Sequence, residues 1–287
     1  PAGVLNIIHG QGITAGDALI NHKGVQAISF TGGTATGKII AQKTAASFKK
    51  LSLEMGGKNP AIIFTDCNYN KMLETVVQSS FSNQGQICLS SSRILIQTEI
   101  FQRFKKDFIG KVNKLIVGDP QDHESNLGAV SSKNHFNKIL NYIKLAEKEG
   151  GEILFGGKAL KLSGRCKKGW FIEPTIIEGL NNNAKTNQEE IFGPVVTLIP
   201  FDNEEDAIQI ANESDYGLSA TIWTEDKERA TRVSNQVEAG VIWVNCWLVR
   251  DLRTPFGGMK QSGMGREGGS EALRFFTEQK NVCTSIA

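Results

Sequence analysis

The chain has 287 residues, 40% of them hydrophobic and 22% charged, with a formal net charge of +2. That length accommodates one large domain or two, with a full core. A charge so near zero gives no footing for nucleic acid or an anionic membrane surface, and no apolar run reaches the roughly 20 residues that a spanning helix needs.

The opening PAGVLNIIHG starts without a methionine and reads as the close of a unit, so a preceding N-terminal part is expected. VQAISFTG (25–32) is a β-type run ending at glycine. It leads into SFTGGTATGKII (29–40), a strand–turn–helix pattern that offers backbone N–H groups to a phosphate. Gly32, Gly37 and Lys38 fit GxxxxGK, but Ile39 stands where Ser or Thr must hold Mg²⁺. Triphosphate hydrolysis is therefore set aside. A glycine pair beneath a pyrophosphate and a plain turn both stay open. LEMGGKNP (53–60) holds a lone glutamate before two glycines, either an exposed turn residue or a general base. NPAIIFT (59–65) is the next strand.

Met72, Leu73, Val76, Val77 and Phe81 share one helical face, which predicts a helix up to Gly85. SNQGQICLS (82–90) then places Cys88 in a loop before the strand RILIQ (93–97). Loops carry chemistry more often than strands do. A free thiol is mostly protonated at neutral pH, so a nucleophilic Cys88 needs N–H donors, a helix end or a nearby base. Cys246 is its nearest competitor, because it borders a charged loop. The five cysteines form no CxxC and fit free thiols in a reducing compartment. The four histidines are scattered without HExxH, so no metal site is expected.

Two helical stripes follow: Phe101, Phe104, Phe108, Val112 and Leu115, then Phe136, Ile139, Leu140, Ile143 and Ala146, the second stopped at Gly150–Gly151. NQEEIFGPV (187–195) combines a glutamate able to bind ribose hydroxyls with a phenylalanine able to pack a flat ring; a surface loop with one buried Phe is the plainer reading. Strands PVVTLIPF (194–201), LSATIWT (218–224) and GVIWVN (240–245) alternate with amphipathic segments 203–212 and 225–237. The alternation predicts an α/β architecture with a largely parallel sheet. In NCWLVRDLRTPFGG, Arg250 and Arg253 stand among Trp247, Leu248, Val249 and Phe256. An arginine in such company needs an anionic partner, either Asp251 or a substrate carboxylate.

Taken in order, FTGG (30–33), LEMGGKNP (53–60), NQGQICLSSSR (83–93), EEIFGPV (189–195) and PFGGMKQSGMGREGG (255–269) resemble the aldehyde dehydrogenase superfamily along essentially the whole chain. The resemblance implies the end of a Rossmann-like coenzyme domain (1–55), an α/β catalytic domain (56–262) and a C-terminal segment (263–287). TEQKNVCTSIA (277–287) matches a strand that pairs across subunits in a homo-dimer or homo-tetramer. By the same resemblance Cys88 is the nucleophile and Glu54 the general base. Glu190 matches the glutamate on the nicotinamide ribose and Phe192 the ring near the nicotinamide. Gly32 and Gly33 match the turn under the pyrophosphate, Met55 and Gly56 the strand end beside the nicotinamide. Gly12 falls near the adenosine half, and Lys138 at a position that reaches the cofactor ribose. His135 stands where the family often has glutamine, and Gly33 where many members have serine.

The implied activity is NAD-dependent oxidation of an aldehyde to a carboxylic acid through a thiohemiacetal and a thioester on Cys88. Glu54 favours hydrolysis over transfer to coenzyme A. The stretch around Arg250 is similar to the dehydrogenases of 2-aminomuconate and 2-hydroxymuconate semialdehyde, with Arg250, then Arg253, as the clamp for the far carboxylate. A retinal-type substrate, a cofactor-free cysteine esterase and a non-catalytic oligomerising fragment stay open. Cytoplasmic location is the default expectation.

Overall fold

The computed structural model describes residues 1–286. Strand β1 (Ala27–Thr31), helix α1 (Thr34–Thr44) and strand β2 (Lys50–Glu54) form a first, small unit. β1 and β2 run parallel, and a short strand late in the chain, Gly263–Met264, adds antiparallel to β2. The chain then builds a larger sheet. In chain order come β3 (Asn59–Ile63), α2 (Tyr69–Phe81), β4 (Ser91–Gln97), α3 (Thr98–Val112), α4 (Lys133–Lys148), β5 (Glu152–Phe155) and β6 (Thr175–Glu178). They are followed by β7 (Val195–Phe201), α5 (Glu204–Asn212), β8 (Ser219–Trp223), α6 (Lys227–Gln236) and β9 (Val241–Val244). The seven strands lie in the order β9-β8-β3-β4-β7-β6-β5. Every neighbouring pair is parallel except β5 with β6. The expected α/β, largely parallel architecture is present.

The sequence accounts for the layers. A parallel sheet is covered on both faces, so its central strands are buried along their whole length; all five residues of β3 and of β8 are buried, the polar Asn59, Ser219 and Thr221 among them. Helix α3 lays Phe101, Phe104, Phe108 and Val112 against one face, with Phe104 and Phe108 stacked at 5.1 Å. Asn68, Ser132, Asn203 and Asp226 cap α2, α4, α5 and α6 through side-chain oxygens, satisfying amides that the first helical turn leaves free.

Two local readings need correction. The segment before Cys88 is not helical to Gly85: α2 ends at Phe81, and Asn83, Gln84 and Gly85 all take left-handed backbone with φ of 51°, 56° and 66°. LSLE is a strand ending at Glu54, so the following glycines bridge two sheets rather than cap an exposed turn. Residues 277–286 form no strand within the chain.

The topology explains where a site can form. The residues entering β3, β4 and β7 meet side by side because these strands are parallel neighbours, with Asn59 opposite Ser91 and Arg93 opposite Thr197. Sites in open parallel sheets ordinarily lie beyond the carboxyl ends of the strands. Here the carboxyl end of β2 in the first unit faces the amino ends of β3, β4 and β7 in the second.

Candidate active site

Cys88 stands three residues before β4, in the loop that the left-handed turn 83–85 turns back toward the sheet. Gly85 is required there twice over. Its φ is positive, and a Cβ would fall 2.2 Å from the carbonyl oxygen of Gly193. The thiol is largely buried. Burial pushes its pKa up, the carboxylates of Glu190 and Glu54 push the same way, and its own backbone N–H and Arg250 oppose them. Leu89, Leu218 and Trp243, with Ile87 and Trp247, form the apolar floor beside it. Trp247 Nε1 donates to the Leu89 carbonyl at 3.0 Å, which ties the loop to the segment after β9.

Glu54 ends β2 and is only 5% exposed, so the exposed-turn reading fails. Its carboxyl Oε1 makes no hydrogen bond among the described residues. Its pKa is raised to about 7, first by burial and then by Glu267, against the opposing charges of Arg266 and Arg250. A carboxyl poised there can switch between base and acid near neutrality. Gly257 makes room for it, since a Cβ there would come within 2.8 Å of Glu54 Oε1.

The 189–193 loop closes a cavity with Cys88, lined also by Gly57, Ser90, Glu190 and Phe192. Gly57 N–H donates to Glu190 Oε1 at 3.2 Å, and a Cβ on Gly56 would lie 2.2 Å from Glu190 Oε2, so the carboxylate lies on the bare backbone of both glycines. Burial raises the Glu190 pKa, opposed by the Gly57 amide, Lys138 and Lys58. Phe192 is held at φ 59°, a conformation costly for a bulky side chain. One face of α4 pins this loop. His135 Nε2 lies 2.6 Å from the Phe192 carbonyl, Lys138 Nζ donates to the Glu190 carbonyl at 2.9 Å, and Tyr142 donates to the Glu189 carboxylate. The positions i, i+3 and i+7 share one helix face, which is why a single helix can hold three successive points. Lys138 is thus engaged with the loop itself.

The first unit meets the expectations unevenly. Gly32 donates its N–H to the Glu54 carbonyl at 3.0 Å, so that amide serves the sheet. Its missing side chain clears the Phe30 ring, 2.5 Å from where a Cβ would sit. Gly33 is the N-cap of α1 with open space around it, so a side chain fits there. Met55 turns its side chain into the core, with Sδ 2.1 Å from a Cβ placed on Gly37. Gly12 lies in an exposed turn, Gly12–Gly16, without a buried residue.

Neither arginine is buried, although Arg250 lines a cavity with Val241, Val249, Pro255 and Phe256. Arg253 is 89% exposed and forms a bidentate pair with Asp251, two residues away in the same loop. Arg250 is also exposed, with its guanidinium 4.1 Å above the Phe256 ring centroid, a cation–π contact rather than an ion pair. Its charge still reaches the site, because it lowers the pKa of both Glu54 and Cys88.

A loop carrying a partly buried thiol, a buried carboxyl with an unpartnered oxygen and a glutamate laid over two glycines now stand together. The aldehyde dehydrogenase family profile matches residues 1–282. The chain belongs to the aldehyde dehydrogenase family. It is 49% identical to 2-aminomuconic semialdehyde dehydrogenase of Danio rerio over 98% of the chain and 58% of that protein. It is 45% identical to 2-hydroxymuconic semialdehyde dehydrogenase of Pseudomonas sp. (strain CF600), over 100% of the chain and 59% of that protein. Betaine aldehyde dehydrogenase from Staphylococcus aureus, solved in complex with NAD⁺, superposes with a TM-score of 0.88 at 40% identity, covering 92% of this chain and 52% of that one. The chain therefore spans a little over half the length of the relatives it matches.

This aldehyde dehydrogenase chain also contains site neighbours that sequence reasoning did not single out. Lys58 is 2% exposed, and burial together with Arg93 lowers its pKa to about 7. Glu267 presses on Glu54 electrostatically, and Asn59 holds the Cys88 loop. Their signal was present in GGKNP and GREGG, but as residue types alone they look like solvated turn residues.

Proposed function

We propose that the complete polypeptide oxidises an aldehyde to a carboxylic acid with NAD, and that its substrate is a semialdehyde bearing a carboxylate, of the 2-aminomuconic or 2-hydroxymuconic type. The observation that carries the activity is the buried Glu54 carboxyl, with an oxygen left unpartnered, close enough to Cys88 that its charge raises the pKa of the thiol. Residues 1–55 would carry the coenzyme part, 56–262 the catalytic part and 263–287 the assembly segment of a homo-oligomer. Three features of the chain fit a dinucleotide: the open Gly33 turn at the N-terminus of α1, which no side chain caps, the Glu190 carboxylate on Gly56 and Gly57, and Phe192 lining the cavity beside Cys88. The chemistry that NAD supplies when bound is acceptance of a hydride.

Cys88 as thiolate adds to the aldehyde carbon, forming a thiohemiacetal. The developing oxyanion is stabilised by the backbone N–H of Cys88. Loss of hydride leaves a thioester on Cys88. Glu54 as carboxylate then takes a proton from water as that water attacks the thioester carbon. Collapse expels the Cys88 thiolate and releases the acid. The loop held by His135, Lys138 and Tyr142 keeps Glu190 and Phe192 in place. Tyr142→Phe removes one neutral-to-charged hydrogen bond and is expected to raise KM for NAD about three- to tenfold, with the rate of Cys88 alkylation unchanged.

Arg250 is the side chain that favours a carboxylated substrate, since its cation stands beside the site on the Phe256 ring. Its exposure weakens the pair through screening. Arg250→Ala is expected to lower kcat/KM about tenfold for 2-hydroxymuconate 6-semialdehyde, about 1.4 kcal/mol, and to leave retinal or a simple uncharged aldehyde within about twofold. Equal loss on both kinds of substrate would assign Arg250 to structure and leave the activity a general aldehyde oxidation.

A further inference from the structure

We infer that Asn59 is a positioning residue that sets the geometry of the Cys88 loop, acting through the Cys88 backbone and not by touching substrate. The inference rests on the reading of Cys88 as nucleophile. The Asn59 side chain is 3% exposed. Its amide nitrogen donates to the Cys88 carbonyl at 2.7 Å and to the Ser90 carbonyl at 2.9 Å. Its amide oxygen accepts from the Ser219 N–H at 3.1 Å. One side chain thus joins the start of β3, the loop before β4 and the first residue of β8, three parallel neighbours in the sheet.

Both amide protons and the oxygen are used, and in one orientation only. A carboxylate of the same shape would aim an oxygen at two carbonyl oxygens. A leucine of similar size would leave those carbonyls and the Ser219 amide without partners in a buried place, a cost borne by the loop. Gly57 is fitted to this arrangement, since a Cβ there would lie 2.4 Å from Asn59 Oδ1. With its carbonyl drawn to Asn59, the Cys88 residue has its own N–H left near the thiol, where it favours the thiolate. The other charges that reach the thiol are those of Glu190, Glu54 and Arg250; the neutral Asn59→Ser leaves them as they are, whereas Asn59→Asp adds a carboxylate of its own.

The test uses the complete polypeptide carrying Asn59→Asp or Asn59→Ser. Two quantities are read: the pH dependence of Cys88 alkylation by iodoacetamide, assigned by peptide mapping and normalised to folded protein, and the separate kcat and KM for NAD. For Asn59→Asp, alkylation and kcat are expected to fall at least about tenfold, the thiol titration to move to higher pH, and KM for NAD to stay within about twofold. Asn59→Ser keeps one donor and is expected to fall between Asn59→Asp and wild type; because it adds no charge, its shift in the thiol titration decides whether the loop geometry is responsible. Should Asn59→Asp not fold, Asn59→Ser alone decides by the same criteria. An unchanged thiol titration and alkylation rate per folded molecule, or a KM for NAD that rises in step with the fall in kcat, would overturn the inference. Alkylation reads the thiol without any turnover. Cys88→Ser that still forms NADH would therefore defeat the nucleophile assignment separately.

Discussion

Cys88→Ala is expected to lower aldehyde oxidation on the order of 10⁵-fold, about 7 kcal/mol of transition-state stabilisation, while NAD binding stays intact. The loss is large because the proposed thiolate takes part covalently and none of the remaining four cysteines lines the cavity with Cys88, Glu190 and Phe192. Cys246 is the instructive contrast. It packs against the same apolar cluster as Cys88, yet Glu54 and Glu190 act on Cys88 alone of the two. Cys246→Ala is accordingly expected to retain activity within about threefold, as for a volume change at a partly buried site. Steady-state NADH formation with both variants checks the pair. Full loss in Cys246→Ala with activity surviving in Cys88→Ala would reverse the assignment.

Glu54→Gln is expected to slow thioester hydrolysis by about 10²- to 10⁴-fold while leaving the first hydride transfer largely in place, so a burst of NADH near one equivalent per site remains. Wild-type turnover limited by hydrolysis should rise with pH through about 7, if the carboxylate acts as the proposed base with its pKa raised to that value. The Gln variant should lack that rising limb. Stability moves the other way. With a folded pKa raised from 4.5 to about 7, the folded chain binds more protons than the unfolded one between those values. Ionising Glu54 therefore erodes stability as pH rises through that window, by up to about 3 kcal/mol above it. Glu54→Gln should melt higher than wild type at pH 8, with the gap shrinking toward pH 5, as thermal unfolding at the two pH values would show. An equal or lower Tm at pH 8 would contradict the buried, unpartnered placement of this carboxyl.

The strands and helices were legible where periodicity had a single explanation. The stripe Phe101, Phe104, Phe108, Val112 is buried along α3 as its spacing required, and NPAII is a fully buried central strand. The left-handed run at 83–85 was not legible, because Asn-Gln-Gly after a helix also reads as a frayed last turn; only the close approach to Gly193 fixes it. LSLE did not announce a strand, since its alternation is short and its glutamate looks like a surface residue until the late segment around Gly257 and Gly263 covers it. Arg250 and Arg253 misled for the opposite reason. Apolar neighbours in sequence implied burial, but Val249 and Leu252 in that loop are themselves exposed. Asn59 carried no periodic signal at all. Its importance comes from three strands meeting, which is a property of sheet order.

The most direct test of the covalent account is intact-mass and peptide mass spectrometry of the Glu54→Gln protein, quenched after mixing with NAD and 2-hydroxymuconate 6-semialdehyde. The account predicts a single acyl adduct, formed only with NAD present and mapped to the peptide that carries Cys88. NADH formed without an adduct, or an adduct on Cys246, would contradict it.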